Sequence, residues 1–184
     1  MKKNCLILLI LILPLFSNSE ASVKKNIIQN LKSINNLSFN FEQNINGEIE
    51  TGNCVLEYPK KIYCKYKVGN QKILVSNGKS VVIKTKSSYY LYPIEKTSLN
   101  LVLDKQLILN KIINLKERII EDKFINYKFF ENDNEISIFF DIKNYELIGW
   151  QTTDMYQNLT ITYLSFILKN QKLKNNLFKL PKRN

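Results

Sequence analysis

Hydrophobic and polar residues follow two rhythms along this chain. Val23, Ile27, Ile28, Leu31 and Ile34 recur at helical spacing, with Lys and Asn between them. That predicts an amphipathic helix over residues 23–34. The rhythm then changes to alternation: Leu37, Phe39 and Phe41 interleave with Ser38, Asn40 and Glu42, the mark of a half-buried strand. Gly47 and Gly52 punctuate the next stretch. Residues 55–57 and 62–68 read as two strands of a hairpin around Pro59-Lys60-Lys61. After a turn at Gly69-Asn70 comes a strand over 72–76. Asn77-Gly78 is the strongest hairpin signal in the chain, because both residues tolerate positive φ. The partner strand is 80–84, and another over 88–92 ends at Pro93.

Helical spacing returns once, over 97–113, in Leu99, Val102, Leu103, Leu107, Ile108, Ile112 and Ile113. A break near Asp104 divides it into two short helices. Strands follow at about 117–122, 124–131, 135–141, 147–153 and 159–167, then a loop at Lys169-Asn170-Gln171 and a closing segment over 173–180. The expected fold class is mainly β with helices (α+β). About ten short antiparallel strands form one large curved sheet or barrel. A sheet of that size curls, and one face has to be filled by helices or by a ligand.

The N-terminus sets the compartment. Lys2 and Lys3 precede an apolar run from Leu6 to Phe16, broken only by Pro14. Ser19 and Ala21 then satisfy the small-residue rule for cleavage, so residues 1–21 are expected to be a secretory signal peptide cut after Ala21. The run is about half the roughly 20 residues that span a bilayer. Residues 22–184 form one expected domain. No Cys lies at the cleavage site to accept a lipid. Cys5 leaves with the signal, and Cys54 and Cys64 remain. An even number in an exported chain points to a disulfide across the hairpin, with two free buried thiols as the alternative.

Charge and chemistry narrow the function. The formal net charge is +11, yet only Arg118 and Arg183 among the 27 basic residues are Arg. Base and phosphate recognition favours the Arg fork, so nucleic acid is not an expected partner. The Lys, Asn and Ile bias reads instead as compositional drift on tolerant surface positions, with a selected basic surface facing an anionic membrane as the alternative. There is no His, which removes the commonest general base and zinc ligand and every Ser-His or Cys-His nucleophile. No Gly-rich phosphate loop is found. The carboxylate pairs Glu121/Asp122 and Asp133/Glu135 fall at predicted turns or strand ends. No catalytic residue, metal site or cofactor is expected. A small secreted carboxylate hydrolase is the remaining enzymatic alternative.

Several segments, in order, resemble the LolA family of outer-membrane lipoprotein carriers. They are Leu37-Ser38-Phe39-Asn40-Phe41-Glu42-Gln43; Gly52 followed by Tyr58-Pro59 and Tyr63-Cys64-Lys65-Tyr66; and Ile73-Leu74-Val75-Ser76-Asn77-Gly78-Lys79. Later come Asp154-Met155-Tyr156-Gln157-Asn158-Leu159-Thr160 leading into Ile161-Thr162-Tyr163, and the ending Phe178-Lys179-Leu180-Pro181. Three features depart from the family pattern. Tyr58 stands where a basic residue often precedes the hairpin Pro, Asn77 replaces an Asp, and the Cys pair is unusual.

The resemblance implies an incomplete, open antiparallel β-barrel covered by an α-helical lid, with an apolar cavity between them. It also implies cargo and partners: triacylated lipoproteins, an inner-membrane ABC lipoprotein-releasing transporter, and an outer membrane with or without a receptor. A monomer is the default expectation. Candidate cavity residues on the sheet are Phe39, Phe41, Leu56, Tyr66, Val75, Val81, Ile83, Leu91, Ile138, Phe140 and Trp150. On the lid they are Leu99, Val102, Leu103, Leu107 and Ile108. Alternation along a strand does not say which apolar face meets a ligand and which meets a helix. A related envelope sensor or receptor domain is the alternative binding role.

Overall fold

The computed structural model describes residues 19–67, 69–131, 134–153 and 158–183. The expected signal peptide up to residue 18, Val68, Asp133 and the 154–157 part of the late motif lie outside the described residues.

The chain opens with helix α1 (Ser19–Ser33). Five hairpin-linked strands follow, β1 (Asn36–Ile45), β2 (Glu48–Glu57), β3 (Lys61–Tyr66), β4 (Ile73–Asn77) and β5 (Ser80–Lys84), and then β6 (Tyr89–Pro93). A 3-10 turn (Ile94–Lys96) leads to α2 (Leu99–Val102) and α3 (Lys105–Asn114). The second block is β7 (Arg118–Ile120), β8 (Phe124–Glu131), β9 (Asn134–Asp141), β10 (Leu147–Thr153) and β11 (Leu159–Lys169). All pairings are antiparallel, in the order β6-β5-β4-β3-β2-β1-β11-β10-β9-β8-β7. Strands β6 and β7 are the two free edges, so the sheet is an open barrel. Strand β1 is the seam that joins the two blocks, held by β2 on one side and β11 on the other.

Two expected features are refined. Gly52 does not interrupt the chain; it lies inside β2, opposite Phe41. A Cβ there would stand 2.3 Å from the Lys65 carbonyl oxygen and 2.6 Å from the Phe41 ring. Only Gly leaves room for that ring to lie against the sheet. The second refinement is curvature. Register shifts occur in β11 against β1, where Phe166 adopts φ 51°, and in β10 against β9 at Gly149. Such bulges bend a strand and increase its twist, which lets eleven strands wrap around a core.

The inner face carries Leu37, Phe39 and Phe41 of β1, Leu56 of β2, Ile62 of β3, and Ile136, Ile138 and Phe140 of β9, all buried. Cys54 and Cys64 stand opposite each other on this face and are joined by a disulfide. Against it pack Ile27, Leu31 and Ile34 from the first helical region and Val102, Leu103, Ile108, Leu109 and Ile112 from the second. Helices α1 and α3 run antiparallel. The Lys24 ammonium donates to the Leu115 carbonyl at 2.7 Å at one end, and the Lys105 ammonium to the Ile34 carbonyl at 2.6 Å at the other.

Beyond β11 the chain turns at Asn170, whose side chain accepts from the Asn35 amide at 2.7 Å and donates to the Ser33 carbonyl at 2.8 Å. It then crosses the outer face of β3–β6. Lys61 lies over the Phe178 ring, the Tyr89 hydroxyl donates to the Pro181 carbonyl, and Lys84 to the Lys182 carbonyl.

Candidate functional site

Paired residues in adjacent antiparallel strands point to the same face. From Cys64 the register therefore places Leu74, Ile83 and Tyr90 inward, and from Ile62 it places Ser76, Val81 and Tyr92 inward. Here the helices do not fill the space. The four-residue α2 is short, and between it and the inner face of β3–β6 lies a cavity of about 290 Å³. Its apolar wall is Ile45, Leu74, Val81, Ile83, Leu99 and Trp150. Tyr66, Tyr92 and a polar set, among them Gln43, Thr97, Ser98, Thr152 and Thr160, complete it.

Gln43 is paired on both sides. The Tyr66 hydroxyl donates to Gln43 Oε1 at 3.4 Å, and Gln43 Nε2 donates to Thr162 Oγ1 at 3.3 Å. At one end Lys72 is clamped by both Glu50 carboxylate oxygens, at 2.8 and 2.7 Å, and its ammonium lies 4.3 Å from the Tyr66 ring centroid. Burial, with a smaller contribution from Glu50, pushes the Tyr66 phenol above its ordinary pKa. A lysine already matched by a carboxylate and an aromatic face leaves little unbalanced charge beside the apolar wall. This chemistry suits an apolar ligand with a few polar atoms.

The structure sorts the expected cavity residues into three groups. Tyr66, Val81, Ile83, Leu99 and Trp150 line the cavity. Phe39, Phe41, Leu56, Val102, Leu103, Ile108, Ile138 and Phe140 are buried in the adjoining core between sheet and helices, with Leu107 packed against it. Phe39 meets Trp150 edge to face, with centroids 6.3 Å apart, which links core to cavity. Val75 and Leu91 are corrected. Both pair with Val82, one on each side of it, and this row points to the outer face. Val75 is 1% exposed there and Leu91 56%. The sequences Val81-Val82-Ile83 and Tyr89-Tyr90-Leu91-Tyr92 are apolar on both faces, so alternation alone could not choose between them. Sequence reasoning missed Leu74, Ile45 and Tyr92. Leu74 sits in an unbroken Ile-Leu-Val run, and only pairing with Ile83 assigns it inward.

The lid is tied to the sheet at the turn between β2 and β3. The Lys60 amide donates to the Leu103 carbonyl at 3.0 Å, and its ammonium stands 3.2 Å from the Asp104 carboxylate. Asp104 also caps α3, accepting from the Leu107 amide at 3.0 Å. Lys105 reaches over the Tyr58 ring at 5.4 Å, and burial lowers its pKa. Tyr58-Pro59 is thus flanked by two lysines, Lys60 after the Pro and Lys105 on the lid.

Comparison with known proteins agrees with this architecture. The family model described as "Outer membrane lipoprotein carrier protein LolA" matches residues 32–181. An uncharacterized conserved protein from Thermus thermophilus has a similar solved structure, with TM-score 0.50 and 9% identity, covering 90% of this chain and 96% of that one. A LolA superfamily protein from Nitrosomonas europaea aligns with TM-score 0.43 and 7% identity over 89% of this chain and 99% of the other. LprF from Mycobacterium bovis aligns with TM-score 0.47 and 11% identity over 86% and 97%. No curated protein matches by sequence.

Proposed function

This chain belongs to the LolA family, and from that premise we propose that it is a periplasmic carrier that binds the acyl chains of lipoproteins released from the inner membrane and delivers them to the outer membrane. Its fold is that of a lipid- or lipoprotein-binding carrier superfamily. The observation that carries the finer reading is the cavity between the sheet and α2, walled by Ile45, Leu74, Val81, Ile83, Leu99 and Trp150, with its one lysine, Lys72, neutralised by Glu50. The driving force is large. At about 0.8 kcal/mol per methylene, an acyl chain of about 15 carbons costs on the order of 12 kcal/mol to expose to water. Ligand pockets run from about 300 to about 1,000 Å³, and at about 290 Å³ this cavity is small for an acyl chain together with its polar end. Loading then requires α2 and α3 to move off the sheet. In this reading residues 1–21 direct export and are cut after Ala21. An ABC transporter in the inner membrane supplies triacylated lipoprotein, and the carrier acts as a monomer without catalysis or cofactor.

Trp150 is the single Trp of the chain and lines the cavity. Exported protein is mixed with a fatty acid brominated along its chain, and Trp150 fluorescence is followed. Saturable quenching, competed by a triacylated lipoprotein that becomes soluble as a stoichiometric complex, is the expected result. Unquenched Trp150, with the lipoprotein left in the membrane fraction when transporter and ATP are supplied, overturns the carrier assignment.

A further inference from the structure

Four of the strands that wall the cavity, β3–β6, have a second face, and it is basic. Register puts Tyr63, Lys65, Ile73, Val75, Val82, Lys84, Tyr89 and Leu91 outward. A groove of about 650 Å³ on this face is lined by Lys65, Lys84, Lys86, Tyr63, Ile73 and Pro181, among others, and, among the described residues, by no carboxylate. Beside it Arg183 joins Lys84 and Lys86 around a smaller depression. The terminal segment adds exposed Lys182 along the same face. Glu57 and Glu42, the outward carboxylates of β2 and β1, lie at the margins. Glu57 is paired with Lys61, and Glu42 borders Lys67 in a separate groove. Lys65, Lys86 and Arg183 are exposed and take part in no ion pair among the described residues.

We propose that this outer face of β3–β6, with the terminal segment laid across it, docks the protein on the anionic headgroups of a lipid bilayer. Three features select a bilayer. The cations Lys65, Lys84, Lys86 and Arg183 spread over one face as a diffuse positive surface of the kind anionic headgroups attract. Leu91 projects from the same face, 56% exposed, and Tyr63 and Tyr89 point outward on that face. An apolar and an aromatic side chain beside a cationic face match the order of layers in a membrane interface. Finally, Gln71 lines the basic groove while its neighbour Lys72 lines the cavity. The groove and the cavity therefore meet at one end of β4, so docking brings the cavity beside the bilayer. Only this last step rests on the carrier reading.

Cosedimentation of the exported protein with vesicles tests it. Vesicles containing phosphatidylglycerol should bind the protein, added salt should release it, and pure phosphatidylcholine vesicles should not retain it. Each cation removed should weaken partitioning about fivefold, so K65Q/K86Q/R183Q should lose about a hundredfold. The charge-conserving K65R/K86R/R183K should keep binding. Quenching of Trp150 by the brominated acyl probe should be unchanged in both variants, which separates docking from loading. Equal binding to phosphatidylcholine, persistence of binding in K65Q/K86Q/R183Q, or an oligonucleotide that displaces the protein and binds it as tightly would each overturn the proposal. Loss of acyl quenching alone, with vesicle binding retained, would overturn the carrier reading and leave the docking surface standing.

Discussion

Gly52 shows how one residue sets the shape of the inner face. Its missing side chain is the space in which the Phe41 ring lies, and that ring in turn meets Tyr66 edge to face at 4.9 Å. Gly52→Ala should cost about 1–3 kcal/mol, the usual range for overpacking against backbone, read as a lower midpoint in urea unfolding. The phenols make a second statement at this scale. Burial holds the Tyr58 and Tyr66 pKa values above the ordinary range, while in the unfolded chain each titrates near about 10. The folded state therefore keeps a proton that the unfolded state gives up. The stabilisation is complete below about pH 10 and falls as pH rises beyond it. Unfolding measured from neutral pH upward should show stability declining above that point, and Tyr66→Phe should make the decline shallower.

At the scale of elements, the lid is held by its junction more than by its length. Helix α2 has four residues and α3 ten, too few to persist without packing. Asp104 does two jobs where they meet, capping α3 and pairing with Lys60 of the β2–β3 turn. Asp104→Ala removes both and should destabilise by about 1–2 kcal/mol, mostly through the cap. Asp104→Asn keeps a capping oxygen and loses only the charge, so its loss should be smaller, because a half-exposed pair contributes little. If the junction restrains lid opening, both variants should take up the brominated acyl probe faster than the parent in stopped-flow quenching of Trp150. An unchanged rate would assign Asp104 to helix stability alone.

At the scale of the whole molecule, an open sheet has two faces to cover, and the protein covers them differently. The concave side is closed by α1, α2 and α3 except at the cavity. Across the convex side of β3–β6 runs the segment after Asn170, beneath which Val75 and Val82 are 1% and 0% exposed. Deleting residues 171–184 should uncover that apolar row. The expected outcome is a lower thermal midpoint and increased binding of an apolar dye by the native state, since large uncovered patches are not tolerated on soluble domains. A truncated protein as stable as the parent would mean that the covering of Val75 and Val82 comes from the sheet itself.

The chain's pattern alone determined the order of elements, because hydrophobic period and turn residues are local properties. Asn77-Gly78 marked the β4–β5 hairpin, the alternation from Leu37 to Phe41 marked β1, and Asp104 marked the break between the lid helices. The open barrel with a helical lid was legible through the ordered resemblance of several short segments. What only the tertiary structure decided is which side of each apolar strand faces inward. Side chains alternate with period two, so a strand apolar at consecutive positions carries no local record of its inner face. Val75 and Leu91 went to the outer face, and Leu74 and Tyr92 to the cavity, because pairing with β3 and β5 fixed the register. The clustering of Lys65, Lys86 and Arg183 was equally invisible, since residues so far apart in sequence meet only when the chain's end folds back across the sheet.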